Sequence, residues 1–381
     1  MKTHHPTTVV IHLERLTRNM ARLQELVGDR RVWPAIKADA YGHGAELVAR
    51  HLVSLGYDTL CVAHVSEGIA LVEAGVNATF LLLSATLPEH AEAIVAYGLE
   101  PTVCSPEMIE ALSSKAQAAN KQVGVHVMVD TGMNRIGIRP DEARAFLDLC
   151  CALPSLRLRG IMSHFPRADE PDKTYSQAQI EQFNEVVGAT ASYGIEVRHM
   201  ANSAAIMDLP GSHFDAVRPG IAIYGLRPSA AIVNTRIQEF EAVLDWKSRI
   251  TFLKEVPAGT GLSYGHTFHT HRPSLIATVP VGYGDGLSRR LSNNTDMLVR
   301  GVRCPQVGRI TMDQSLIDLT GLRDQVELGD EVAIIGRQGT EEITADELAE
   351  KLGTINYEIV SRIANRVPRV GIFGNSSLKK N

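Results

Sequence analysis

Between about residue 30 and residue 225, short β-branched runs alternate with longer segments whose apolar residues recur at helical spacing. The short runs are Val32–Lys37, Thr59–Ala63, Thr79–Leu83, Pro101–Cys104, Val123–Val129, Leu158–Ser163, Glu196–Met200 and Phe214–Val217. Between them lie amphipathic stretches such as Gly44–Leu55, Ser66–Ala74, Pro106–Ala119, Pro140–Leu149 and Tyr175–Tyr193. Strand–helix alternation implies a parallel sheet. Eight repeats in about 200 residues predict an α/β fold of the closed (β/α)8 TIM-barrel type rather than an open doubly wound sheet. A Rossmann domain would also carry a glycine fingerprint after its first strand. That position reads Lys37-Ala38-Asp39-Ala40-Tyr41-Gly42-His43-Gly44, which is not one.

Past about residue 235 the texture changes. Arg249–Val256, Ser274–Val281, Met297–Val302, Ser315–Leu319 and Glu331–Ile335 are short, β-branched and punctuated by Gly, Pro and Asp-Gly. They predict a mostly β domain with two late helices, Thr344–Leu352 and Tyr357–Ile363. The expected organisation is a barrel over residues 1–235 and a β domain over residues 236–381. Within residues 1–12, Thr7–Ile11 reads as a strand pairing with the second domain. The polar tail Asn375–Asn381 is expected to fray.

The chain's 381 residues suit one large domain plus a second. Its 44% hydrophobic and 21% charged residues are the balance of a soluble globular protein. A net charge of -5 gives no electrostatic reason to expect nucleic-acid binding. No apolar stretch approaches the roughly 18 to 20 residues of a membrane span. The start, Met1 to Pro6, is not a signal peptide. Cys61, Cys104, Cys150, Cys151 and Cys304 are odd in number and lack metal-ligand spacing. Reduced thiols in a cytoplasmic protein without a metal are therefore expected.

A barrel of this type keeps its active site at the C-terminal ends of its strands. The residues there are Lys37, His64, Ser84, Arg135, His164, Asn202–Ser203 and Arg218, a polar and cationic mouth. A partly buried lysine among cations has a lowered pKa, which suits Schiff-base chemistry at Lys37. In Val217-Arg218-Pro219-Gly220-Ile221, the Gly220 and Ile221 N–H groups could meet an anion at the last barrel loop, with the Ser203 hydroxyl nearby. Glycine-flanked tyrosines recur in the second domain, in Ser263-Tyr264-Gly265-His266 and Val281-Gly282-Tyr283-Gly284-Asp285-Gly286. A phenol among cations can act as a general acid or base.

Along essentially its whole length the chain resembles the alanine racemase family of fold type III pyridoxal-phosphate enzymes. The residues that carry the likeness are Ile36–Gly44, Asp130–Gly137, Arg218–Gly225, Leu262–Gly265, Val281–Gly286 and Gly308–Gln314, six blocks in order. The resemblance implies a barrel joined to a β domain, acting as a homodimer that shares its active sites and makes D-alanine as a cell-wall precursor. Lys37 would hold pyridoxal 5'-phosphate. Tyr41, Ser203, Gly220, Ile221 and Tyr357 would grip its phosphate, Arg218 would face the pyridine nitrogen, and His164 would support Arg218. Arg135 would approach the cofactor's phenolic oxygen and the substrate carboxylate. Tyr264, Met312 and Asp313 would come from the partner subunit, Met312 offering a backbone N–H to the carboxylate.

Racemisation needs a proton acceptor on one face and a donor on the other, the roles the resemblance gives to Lys37 and Tyr264. An arginine, with a pKa above about 12, would leave the pyridine nitrogen unprotonated and weaken the electron sink. One position departs from the family. Many members carry a carbamylated lysine where this chain has Met128, so another anion, or neighbours such as Asn134, would have to hold Arg135. Three other readings of the chain are a serine or broader-specificity racemase, a fold-related decarboxylase, and a cofactor-carrying single-barrel protein. Decarboxylation needs no opposed proton pair, carriers lack a second domain, and Tyr357 crowding the pocket favours a small substrate.

Overall fold

The structure, a computed structural model, describes residues 5–374; the first four residues and the Asn375–Asn381 tail lie outside the described residues. The chain divides into two compact units. The barrel unit comprises Arg15–Ala40 and Ala45–Glu241, and the β unit comprises residues 5–14, Tyr41–Gly44 and residues 242–374.

In the barrel unit, eight parallel strands follow the order Arg31–Val32, Ala216–Val217, Val197–His199, Leu156–Met162, Val123–Met128, Glu100–Val103, Thr79–Leu82 and Thr59–Val62. The ends of that order meet. Ile36 N donates to Cys61 O at 2.8 Å and Cys61 N to Pro34 O at 2.8 Å, while Trp33 N donates to Val217 O at 2.9 Å. The first strand therefore pairs on both sides and closes the curled sheet, the TIM-type barrel that the alternation predicts. The regular strand is Arg31–Val32 and shares only Val32 with the predicted Val32–Lys37, because Pro34 has no N–H to give the ladder.

The helices between strands bury one stripe. Ala45–Ser54 buries Val48, Ala49, His51 and Leu52, and Pro106–Ala118 buries Met108, Ile109, Leu112, Ser113 and Ala116. Both spacings place the buried residues on one helical face. The strands themselves carry buried runs such as Thr59–Val62, because a barrel strand is covered on both sides.

In the β unit, Thr8–His12 runs antiparallel to Leu244–Arg249, with Val10 opposite Asp245, and parallel to Arg369–Ile372. The same sheet continues through Glu331–Gln338, Asp296–Val299 and Val302–Pro305. A second sheet joins Phe252–Val256, Ser274–Val279 and Ser315–Asp318. Two predicted strands are divided. Met297–Val302 spans a hairpin whose turn residues Arg300 and Gly301 have φ of 50° and 78°, the left-handed pair of a two-residue turn. The Arg249–Val256 run breaks where the chain leaves one sheet at Arg249 and joins the other at Phe252. Among the described residues no helix is long and apolar enough to cross a membrane.

Candidate active site

Lys37 follows the first barrel strand and opens an uncommon turn. Ala38, Asp39, Ala40 and Tyr41 all have φ between 52° and 54°, the left-handed region. Each such non-glycine residue costs roughly 1–2 kcal/mol, so the turn persists only because its surroundings hold it. Ala40 N donates to Ile36 O at 2.8 Å, and the Asp39 carboxylate accepts from Ala45 N at 2.7 Å. Glu67 accepts from Ala38 N at 2.7 Å with one oxygen and from Ala63 N and His64 N at 2.6 and 3.1 Å with the other. One carboxylate thus ties the ends of two strands together beside the lysine. Lys37 is partly buried. Burial lowers its pKa first and Arg135 lowers it further, while Glu67 works in the opposite direction.

Arg135 is exposed in the loop after Val123–Met128. Asp130 shapes that loop by accepting from Gly132 N at 2.9 Å and Asn134 N at 3.0 Å. The Asn134 side chain donates to Gly132 O at 3.2 Å, so it braces its own loop rather than Arg135. Met128 is buried within its strand.

Arg218 is buried and held from several sides. Its Nη2 donates to Ser163 O at 2.8 Å, with His164 Nδ1 at 3.2 Å and Met200 O at 3.3 Å. Its Nη1 lies 2.6 Å from His199 Nδ1. Burial pushes the guanidinium down to about 10, below the value above 12 expected from its type, which still leaves it cationic at neutral pH. Burial, then Arg218, Arg135 and Lys37, hold His164 well below the usual imidazole range. At the last loop, the buried Ser203 hydroxyl accepts from Gly220 N at 2.8 Å and Ala222 N at 3.3 Å, and Ile221 opens a single 3-10 turn, Ile221–Tyr224. Lys37, Arg135, His164, Ser203, Arg218, Gly220 and Ile221 therefore all belong to loops at one end of the barrel.

The β unit holds the other predicted residues. The Tyr41 and Tyr357 rings lie 6.1 Å apart between centroids. Gly42 follows at φ +81°, where a Cβ would fall 2.0 Å from Val360 O, so only glycine fits beside this pair. Tyr264 is 73% exposed and Met312 53% exposed, high values for such side chains. Their loops are nonetheless fixed. Ser263 Oγ donates to Arg309 O at 2.6 Å, Tyr283 N to Thr311 O at 3.0 Å and Gly284 N to Met312 O at 2.8 Å. Arg366 bridges Asp313 at 2.8 Å and the buried Asp285 at 2.7 Å, and Asp285 also accepts from Gly282 N at 2.9 Å. The Val281–Gly286 and Gly308–Gln314 blocks are thus laced into one rigid edge.

The family model described as "Alanine racemase, N-terminal domain" matches residues 11–228, and "Alanine racemase, C-terminal domain" matches residues 243–371. The alanine racemase of Halothermothrix orenii is 46% identical over 367 residues, spanning 96% of each chain. That of Clostridium novyi is 40% identical over 98% of this chain and 97% of its own. The chain belongs to the alanine racemase family. It is therefore an isomerase with the family's two-part fold. Among solved structures, alanine racemase from Clostridium difficile 630 superposes with a TM-score of 0.93 at 36% identity, covering 100% of this chain and 99% of that one. Alanine racemase from Bacillus anthracis with bound L-Ala-P gives 0.92 at 36% identity, covering 100% and 98%.

The family depends on pyridoxal phosphate, and the barrel's donor set suits that group. Three cations, Lys37, Arg135 and Arg218, stand around a neutral His164 and could balance a phosphate and a phenolate. Among the described residues none accepts from the Arg218 Nε–H, which leaves a donor for a ring nitrogen. Residue-type reasoning missed Glu67, Glu100, His126 and His199. His126 alone carried a signal, as a polar residue inside the otherwise apolar strand Val123–Met128.

Proposed function

We propose that this chain interconverts L- and D-alanine with pyridoxal 5'-phosphate held on Lys37, as a homodimer whose active sites each take Tyr264 from the partner subunit. The observation that carries this reading is a lysine amine kept easy to deprotonate by burial and by Arg135, at a barrel mouth whose buried arginine is locked in place. When bound, the cofactor's conjugated ring makes the substrate Cα–H acidic by delocalising the electron pair left behind.

The protein supplies the rest. Lys37 Nζ takes or returns the proton on one face of Cα, and the Tyr264 hydroxyl of the partner subunit does so on the other. Tyr41, Ser203, Gly220, Ile221 and Tyr357 would hold the cofactor's phosphate. Arg218, supported by His164, would offer the ring nitrogen a hydrogen bond rather than a proton, because a guanidinium has donors only and stays cationic. Arg135 and the Met312 N–H bind the substrate carboxylate, with Asp313 beside them. The exposure of Tyr264 and Met312 supports their use by a second subunit.

In D2O the enzyme is expected to place deuterium at Cα of alanine from either enantiomer, while optical rotation decays to zero. Tyr264→Phe should suppress this by about 100-fold or more, the size of a lost general acid–base. Release of carbon dioxide, or unchanged interconversion in Tyr264→Phe, would overturn the assignment.

A further inference from the structure

Arg218 begins a line of hydrogen bonds that runs into the barrel interior. His199 Nδ1 lies 2.6 Å from Arg218 Nη1, His199 Nε2 lies 2.9 Å from His126 Nδ1, and His126 Nε2 lies 3.0 Å from Glu100 Oε2. Both imidazoles have no measurable exposure. The Trp33 ring closes over them, with centroids 4.9 Å from His199 and 5.8 Å from His126. Gly160 makes room for the contact, since a Cβ there would fall 2.2 Å from His126 Nδ1 and 3.0 Å from His199 Nε2.

Donor and acceptor roles along this line are forced. A guanidinium has donors only, so His199 Nδ1 must accept. The His199 proton then sits on Nε2 and is donated to His126 Nδ1, which places the His126 proton on Nε2, facing the carboxylate. Adding a proton to either ring breaks a bond. On His199 it would set N–H against N–H beside Arg218, and on His126 it would do the same against His199. We propose that Glu100, His126 and His199 form a positioning relay that holds both histidines neutral in one tautomer and thereby fixes Arg218 as a donor toward the cofactor's ring nitrogen. The role given to Arg218 rests on the proposed function; the tautomer order does not.

Other charges facing the relay agree with this order. Arg159 stands 3.6 Å from Glu100 and also pairs with Glu196, so a cation faces the carboxylate that ends the line. Lys37, His164 and the Cys61 thiol lie near Arg218. Burial and the Arg218 charge push both relay histidines away from protonation.

The test is long-range nitrogen–proton correlation of the histidine rings in the full-length protein, with cofactor and after its removal. His126→Gln and His199→Gln assign the two signals by their disappearance. Both rings are expected with Nδ1 unprotonated and Nε2 protonated, without titration from about pH 5.5 to about pH 9. Glu100→Leu should mix the tautomers and lower kcat about tenfold with little change in KM. Glu100→Gln keeps an acceptor and should retain the tautomers and most of kcat. Gly160→Ala, a wedge between the rings, should reproduce the Leu effect without replacing either histidine. A ring found with its proton on Nδ1, a titration within that window, or unchanged tautomers in Glu100→Leu would overturn the relay. Failure of racemisation alone, with the tautomers as stated, would overturn the proposed function and leave the relay's order standing.

Discussion

The barrel unit and the β unit hold functional side chains in opposite ways. In the barrel, Arg218 and Ser203 are buried, and their polar side-chain atoms are themselves bonded from within: by the His199 and His164 rings and Ser163 O for the arginine, and by Gly220 N and Ala222 N for the serine. In the β unit, Tyr264 and Met312 project into solvent, and backbone lacing beneath them supplies the order. A site that binds a cofactor for the life of the enzyme can be built into a core. Residues that serve a second subunit must instead be exposed until assembly and still arrive in one geometry. Rigid backbone under an exposed side chain meets both demands.

The largest test of that contrast uses two dead enzymes. Lys37→Ala removes the barrel's contribution and Tyr264→Phe the β unit's, and each alone should lose activity by about 1,000-fold. If the exposed tyrosine serves the neighbouring barrel, dissociating and remixing the two variants creates heterodimers with one complete site. Half the dimers carry one good site of two, so activity should return to about a quarter of wild type. No recovery after verified subunit exchange would place both residues in one chain's site and remove the reason for the exposure.

A smaller effect probes the lacing itself. Gly282 has φ near -148°, which alanine adopts freely, yet a Cβ there would fall 2.2 Å from Thr311 O and 2.4 Å from Met312 O. These are backbone atoms, so the 311–313 loop must move. Gly282→Ala should cost about 3 kcal/mol of β-unit stability, measured by urea unfolding, and raise KM by displacing Met312. Gly211→Ala, where a Cβ meets nothing within 4 Å, serves as the control. An unchanged KM in Gly282→Ala would mean that the loop's position is not set by this contact.

Much of this was legible in the sequence, and for definite reasons. Period-2 and period-3.6 patterns mark elements directly, so seven of the eight barrel strands lie within two residues of their predicted bounds at each end. The losses come from effects that periodicity does not encode. Pro34 silences a ladder inside an apolar run, and Arg300-Gly301 hides a hairpin in a β-branched one. At the site, residue type and strand-end position pointed to Lys37, His164 and Arg218. Glu67 stayed invisible because its work is to accept backbone N–H groups around a left-handed turn. The joint role of His126 and His199 stayed invisible because it depends on a contact between strands about seventy residues apart.

The smallest effect separates the two units by their response to acid. His126 and His199 are held below their ordinary range in the folded barrel, chiefly by burial. In the unfolded chain they titrate near pH 6.5, so below that value the unfolded state binds more protons and folding weakens as pH falls. Each contributes a slope of about 1.4 kcal/mol per pH unit once the pH is well below 6.5 and still above its folded pKa. The protein has two tryptophans, Trp33 in the barrel and Trp246 in the β unit. Trp246→Phe therefore leaves a fluorescence signal from the barrel alone, and Trp33→Phe one from the β unit. Between about pH 6.5 and pH 5, the barrel signal should lose stability more steeply than the β-unit signal. Replacing both histidines with glutamine should reduce the barrel's acid slope, with His164 and His213 supplying the remainder, even if it lowers stability at neutral pH. Equal slopes for the two signals in the parent protein would show that the barrel's buried histidines are not kept neutral, and the contrast between a core-built site and a surface-built one would lose its electrostatic half.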